Sequence, residues 1–185
     1  TPSRGILKRM AIDIAQKEGY QLEPSGAELI SLIGDGSFRD THTTLQKLIN
    51  SSSDKNLRLD EVEKIIEAPK NSLINDFIKA YLEKDFDSGL DIIKKIKKGN
   101  FESKFFVKIL IEKFRVMLLI KIGAKKELYK DSVTEEDLVF FTDLVKEKSA
   151  KIDSKNLVKL IEVYEKTLKS YLPYLPIELF LLEEQ

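Results

Sequence analysis

Apolar residues recur at intervals of three and four along nearly the whole of this chain, and little interrupts them. Of 185 residues only 8 are Gly and 5 are Pro. These two residue types cost a helix interior most, Gly about 1 kcal/mol and Pro about 3. So few of them favour long helices over a strand-and-turn design. The fold class that follows is all-α: a small helical bundle, a junction and a larger helical bundle. No convincing strand and no fixed-period repeat is visible.

The first helix is expected from about Pro2 to Glu18. Pro2 suits a first helical turn, where its missing N–H has no partner to lose. Ile6, Leu7, Met10, Ala11, Ile14 and Ala15 share one face, and Gly19 ends the run. Pro24 opens a second helix that buries Ala27, Leu29, Ile30 and Ile33, and Gly34 stops it. A third helix starts at Ser37. Ser37 and Asp40 have capping-box spacing, in which the hydroxyl accepts from an early N–H and the carboxylate reaches back to the Ser N–H. Phe38, Thr41, Leu45, Leu48 and Ile49 are placed inward; Arg39, His42, Thr43 and Gln46 lie on the other side. After a polar loop at residues 51–56, a short helix from about Asp60 to Glu67 buries Val62, Ile65 and Ile66. Ala68-Pro69-Lys70-Asn71 reads as a junction, because proline restricts the residue before it. The domain boundary is therefore placed between residues 68 and 69.

Beyond the junction the helices lengthen. Leu73, Ile74, Phe77, Ile78, Tyr81 and Leu82 form one stripe, and Phe86, Leu90, Ile93 and Ile96 another. Residues 101–122 are the most apolar stretch, their polar residues Lys104, Lys108, Glu112 and Arg115 tracing one narrow line. Such a helix belongs at a bundle centre. Ser132 and Glu135 suggest a second capping box, ahead of a helix burying Leu138, Phe141 and Val145. Leu157, Leu160, Ile161, Tyr164, Leu168 and Tyr171 give a further stripe. The run Tyr171 to Pro176 is expected to form a non-helical elbow, followed by a last helix from about Ile177 to Glu184.

Composition narrows the chemistry. Lys plus Arg number 31, as do Asp plus Glu, so the chain as a whole has no net attraction to polyanions. Cysteine is absent and His42 is the single histidine, which excludes disulfides, thiolate metal sites and a multi-histidine site within this chain. The longest purely apolar run near the middle, Val116 to Ile120, is far short of the roughly 20 residues a membrane span needs. A cytoplasmic protein is the expectation. The Thr1-Pro2 start, without Met, suggests an excised fragment or a processed chain. No phosphate-binding P-loop, G-x-S-x-G, H-E-x-x-H or calcium-loop pattern is present.

Three charged features remain. Glu135-Glu136-Asp137 complements the positive end of a helix, with an acid–base role as the functional alternative. Lys94-Lys95-Ile96-Lys97-Lys98 reads as a solvated helix C-terminus or as a phosphate-contacting patch without aromatic stacking platforms. Arg39 occupies the first turn of a helix preceded by two glycines. Helix N-termini attract anions, and a guanidinium there adds a forked donor for phosphate oxygens. Capping beside a solvent-exposed Arg is the structural alternative.

Gly36-Ser37-Phe38-Arg39-Asp40 resembles the G-S-x-R-D motif of the gamma/tau subunit of bacterial DNA polymerase III, a clamp-loader AAA+ ATPase. The surroundings are similar too: turns at Glu18-Gly19-Tyr20 and Leu22-Glu23-Pro24 before the motif, then Leu45-Gln46-Lys47-Leu48-Ile49 and a short helix over residues 59–66. Pro173-Tyr174-Leu175-Pro176-Ile177-Glu178-Leu179 is similar to that family's last collar helix. Replication factor C small subunits share the architecture but usually carry Arg where this chain has Asp40.

The resemblance implies an AAA+ lid for residues 1–68 and a helical collar for oligomerisation for residues 69–185. It makes Arg39 the sensor-2 arginine, with Phe38 either walling the nucleotide site or packing in the core. ATP and Mg would be held mainly by a preceding domain outside this chain, so the chain alone is expected to bind neither and to show no ATPase activity. The partners implied are other clamp-loader subunits through the collar, and the sliding clamp and primed DNA through the full assembly; no membrane is involved. A helical adaptor with no nucleotide role, and a nucleic-acid binder acting through Lys94 to Lys98, are the alternatives.

Overall fold

A computed structural model of the protein describes residues 2–129 and 132–183. The fold is all-α, and the chain divides into two compact units, residues 1–68 and 69–185.

The first unit comprises α1 (Arg4–Lys17), α2 (Pro24–Ile33), α3 (Phe38–Ser51) and α4 (Leu59–Ile65). Ser3 is the N-cap of α1 and its carbonyl accepts from Ile6 and Leu7, so Pro2 precedes the helix rather than sitting in its first turn. Leu7, Ala11 and Ala15 are fully buried where α1 meets α2 and α3, and the small alanines let the backbones approach. Met10 and Ile14, expected inside, are only partly covered, and Ile6 is exposed. Arg4 and Lys8 both pair with Glu28 of α2. Ile30, Leu45, Leu48, Leu57 and Val62 complete the core.

The loops contain a pairing that the sequence pattern does not show. Strand β1 (Gln21–Leu22) lies parallel to β2 (Asn56–Leu57). Gln21 N–H donates to the Lys55 carbonyl at 2.8 Å, and Glu23 N–H to that of Leu57 at 3.1 Å. Two residues are too few to display a period-two alternation. The Glu23 side chain then accepts from the Leu59 N–H at 2.8 Å, so a residue at the head of α2 caps the first turn of α4.

The second unit comprises α5 (Asn71–Glu83), α6 (Phe86–Lys98), α7 (Ser103–Lys121), α8 (Glu135–Lys148), α9 (Ser154–Lys169) and α10 (Leu175–Leu182), with 3-10 turns at Lys126–Leu128 and Ser149–Lys151. Helix α7 packs against α8 and α9 and buries Phe106, Val107, Leu110, Phe114, Val116 and Met117 completely, as its nearly all-round apolar surface requires. Phe77 of α5 meets Phe106 edge-on at 5.2 Å between centroids, and Tyr81 stacks on Phe180 of α10 at 4.5 Å. Lysines satisfy free carbonyls around this core. Lys121 Nζ donates to the Ser149 and Ile152 carbonyls, and Lys151 Nζ to that of Leu82.

Four expectations for this unit need correction. In α6 the inward residues are Gly89, Ile92, Ile93 and Ile96; Leu181 lies over Gly89, and Leu90 faces solvent. In α9 the buried face is Asn156, Leu160, Val163 and Thr167, while Ile161 and Leu168 are exposed. Helix α8 is opened by Thr134 and Asp137 rather than Ser132 and Glu135, and its buried apolar face is Leu138, Phe141 and Leu144, with Val145 partly covered. Helix α10 begins at Leu175, with Pro176 in its first turn, so the elbow spans only residues 170–174. Glu184, the expected end of that helix, lies outside the described residues. No helix among the described residues is long and apolar enough to cross a membrane.

Candidate functional site

The segment from Gly34 to Asp40 is a tight reversal between α2 and α3. Helix α2 ends with the Gly34 N–H donating to the Ile30 carbonyl at 2.9 Å. A methyl group on Gly34 would lie 2.0 Å from Thr41 Oγ1 and 3.2 Å from Thr41 Cα, so only glycine lets the end of α2 touch the first turn of α3. Asp35 and Gly36 then adopt φ values of +47° and +81°, the left-handed pair of a type I′ turn, for which Asp-Gly is a preferred sequence. The Ser37 N–H closes the turn on the Gly34 carbonyl at 2.7 Å.

Ser37 is the N-cap of α3. Its hydroxyl accepts from the Asp40 N–H at 3.2 Å, and its carbonyl accepts from both the N–H and the hydroxyl of Thr41. The reciprocal half of the expected capping box is not formed, because the Ser37 N–H is already committed to Gly34. Asp40 stays in the first turn, where its charge complements the helix dipole.

Gly34, Gly36, Ser37 and Asp40 are thus used by the fold, whereas Arg39 is not. Its side chain is exposed, and its guanidinium makes no hydrogen bond or ion pair among the described residues. The N–H groups of Phe38 and Arg39 point from the open end of α3 without an acceptor in the described chain, as first-turn donors do. Phe38 is 50% exposed, which removes the core-packing reading and corrects its placement with Thr41, Leu45, Leu48 and Ile49. An exposed aromatic ring, a free guanidinium and two free N–H groups therefore share one helix start. That combination can meet an anionic, flat-faced ligand such as a nucleotide. His42, one turn on, is exposed.

The other polar features lie elsewhere. Lys94, Lys95, Lys97 and Lys98 are exposed at the end of α6, with Ile96 buried between them. Among the described residues no group of three His, Asp or Glu side chains could hold a metal ion.

The tightest polar cluster was not expected from the sequence. Lys113 of α7 and Asp137 of α8 are buried and paired at 3.1 Å. The three ammonium protons have three acceptors: Asn71 Oδ1 at 2.7 Å, Asn75 Oδ1 at 2.9 Å and Asp137 Oδ1. Both asparagines also donate to Asp137 Oδ1, and its other oxygen accepts from the Thr134 N–H in a complete capping box. Burial by itself pushes the Asp137 carboxyl up, but the Lys113 charge and the hydrogen bonds from Asn75, Asn71 and Lys113 outweigh it and hold the group below its ordinary value. The available signal was position. Lys113 falls off the polar line of Lys104, Lys108, Glu112 and Arg115, and a charge on an apolar face requires a buried partner. Every bond in the cluster is filled from within, so it ties α5, α7 and α8 together and offers nothing to a ligand.

No protein-family model matches the sequence, and no curated protein matches it. Among solved structures, the chain is similar to the Bacillus subtilis DNA clamp loader delta protein (YqeN), with a TM-score of 0.48 and 18% identity. The match covers 98% of this chain and 56% of that one, so the chain spans little more than half the length of that protein.

Proposed function

We propose that this chain is the lid and collar of a clamp-loader subunit of the gamma/tau kind, coupling ATP state to clamp-loader assembly and to the loading of a sliding clamp on primed DNA. The observation that carries the reading is the division of labour within Gly34 to Asp40. Each residue of the G-S-x-R-D motif with a structural task performs it, and Arg39 is left presented to solvent beside two free N–H groups.

In this reading residues 1–68 form the lid and Arg39 acts as the sensor-2 arginine. Phe38 lies against the nucleotide. ATP with Mg, held mainly by a companion domain, supplies the phosphate charge. The chain's own part is to meet that charge with a forked donor on a rigid mount. The Gly34–Thr41 contact and the Ser37 cap make the mount rigid, so a pull on Arg39 moves α3 as a body rather than bending a loop.

Residues 69–185 form the collar. Large apolar side chains remain in solvent from the end of α9 into α10: Leu168, Tyr171, Leu172, Leu175 and Leu179, with Tyr171 97% exposed. Exposed apolar runs of this kind suit protein contacts, and sister subunits of the assembly are the partners proposed. The same run also suits a helical adaptor with no nucleotide role, and Arg39 separates the two readings. In the full-length product of the gene, Arg39→Ala should leave thermal stability within about 0.5 kcal/mol of wild type, as for any exposed residue without partners. Losing a charged hydrogen bond worth about 1.5–3 kcal/mol should weaken ATP-coupled clamp loading about 10- to 150-fold. Unchanged ATPase and loading in that variant would overturn the assignment and leave the adaptor.

A further inference from the structure

The last turn of α6 carries Lys94, Lys95, Lys97 and Lys98 around a single buried residue, Ile96. At 100° per residue the four side chains fan over the arc opposite Ile96, so all of them face solvent together. Several other lysines in this unit have side-chain partners. Lys113 fills the buried cluster; Lys121 and Lys151 hold free carbonyls; Lys104, Lys126, Lys146 and Lys148 pair with carboxylates. None of the four at the end of α6 makes an ion pair or side-chain hydrogen bond among the described residues. Asp91, one turn earlier, shares a groove with Lys95 but forms no ion pair with it.

This arrangement opposes itself. Lys94 and Lys98 stand at i and i+4, and Lys94–Lys97 and Lys95–Lys98 at i and i+3, the spacings at which like charges repel on a helix. The helix dipole favours cations here, but its effect is confined to the last turn and one or two charges satisfy it. A chain with balanced charge has therefore concentrated four unpaired cations on one exposed turn, against local preference.

We infer that the end of α6 is a contact site for the phosphate backbone of duplex nucleic acid, formed by Lys94, Lys95, Lys97 and Lys98. Lysine ammonium groups bind phosphate as mobile point charges, which suits backbone contact without base reading. No aromatic residue lies in the turn to stack on unpaired bases, which favours a duplex over a single strand. No exposed apolar residue stands among the lysines to enter a bilayer, as a membrane-surface helix requires.

The test is fluorescence anisotropy of the 185-residue chain with a labelled DNA duplex of about 20 base pairs, read against salt. Four phosphate contacts give a slope of log K on log salt of about −3.6, which is roughly a 150-fold loss of affinity between 50 and 200 mM. Replacing all four lysines with Gln should abolish that slope, while the circular dichroism spectrum stays that of the parent. A control replacing Lys125, Lys155, Lys166 and Lys169, which lie elsewhere in the same unit, should keep most of the binding. Absence of duplex binding at 50 mM salt, an unchanged slope in the quadruple variant, or tighter binding to anionic vesicles than to the duplex would each overturn the proposal. Arg39 plays no part in this experiment, so its outcome is independent of the sensor reading.

Discussion

Lys113→Met removes the one positive charge from the buried cluster and leaves a side chain of similar length. Asp137 then keeps three hydrogen-bond donors, the amides of Asn71 and Asn75 and the Thr134 N–H, but no counter-charge. Breaking a buried pair on one side costs about 3–5 kcal/mol. The cost has a ceiling, because the carboxyl can take up a proton instead. From a reference value of 3.8, protonation at pH 7 costs about 4.4 kcal/mol, at 1.36 kcal/mol per unit. The expected loss at pH 7 is therefore about 3–4 kcal/mol.

Urea unfolding followed by tyrosine emission is a suitable assay. Tyr81, Tyr129, Tyr164, Tyr171 and Tyr174 all lie in the second unit and only Tyr20 in the first, so the signal reports the unit that is perturbed. The pH dependence carries the stronger test. In the parent, Asp137 is held low, so its contribution is present above the unfolded value and is lost as pH falls through the lower folded value. In the variant, burial acts without Lys113 and raises the folded value. Protonation then favours the folded state, and the deficit should shrink by up to about 2.7 kcal/mol between pH 7 and pH 5. A loss below about 1 kcal/mol at pH 7, or a deficit that does not shrink in acid, would refute the account of this cluster.

Gly34→Ala forces a methyl group to within 2.0 Å of Thr41 Oγ1 and should cost about 1–3 kcal/mol by thermal melting; combining it with Thr41→Ala, which removes the nearest obstructing atom, should cost less than the sum of the two single changes. Tyr174 is buried, donates to the Phe101 carbonyl and has its phenol pushed up to about 12 by burial. Its neutral form is favoured in the folded state, so that contribution holds below pH 10 and is lost as pH rises towards 12. Tyr174→Phe should lose about 1–2 kcal/mol at neutral pH, and its alkaline unfolding limb should be shallower than the parent's.

Helix number and order were legible because apolar periodicity survives wherever polar residues stay outside. Several of the errors fall where polar residues go in. In α9, Asn156 and Thr167 are buried because each has its hydrogen bonds filled: Asn156 accepts from the Asp153 N–H and donates to the Tyr81 hydroxyl of α5, 75 residues away, and Thr167 donates to the Val163 carbonyl. A hydrophobicity pattern ranks both as outward and so rotates the face toward Ile161 and Leu168. At the head of α8 two capping spacings overlap, Ser132–Glu135 and Thr134–Asp137. The second prevails because Asp137 is also held by Lys113, a tie no local rule can see. At the candidate site the sequence was more informative, since the Asp-Gly turn, the Ser cap and the outward Arg39 are local features. Phe38 was misplaced because its type suggests burial, although an N1 residue points off the end of the helix.

The bond from Leu59 to Glu23 has a consequence for how the first unit assembles. Helix α4 has seven residues, well below the length at which an isolated helix holds in water. Its cap comes from 36 residues away, and its approach is set by the pairing of β1 with β2 across a comparable stretch of chain. Local propensity therefore cannot nucleate it, and that long loop must close first. Helix α4 is in this sense the last clasp of the unit. Its amides should exchange with solvent ahead of those of α1 and α2, and a cut in the loop over residues 52–55 should release it while α1 and α2 still face one another.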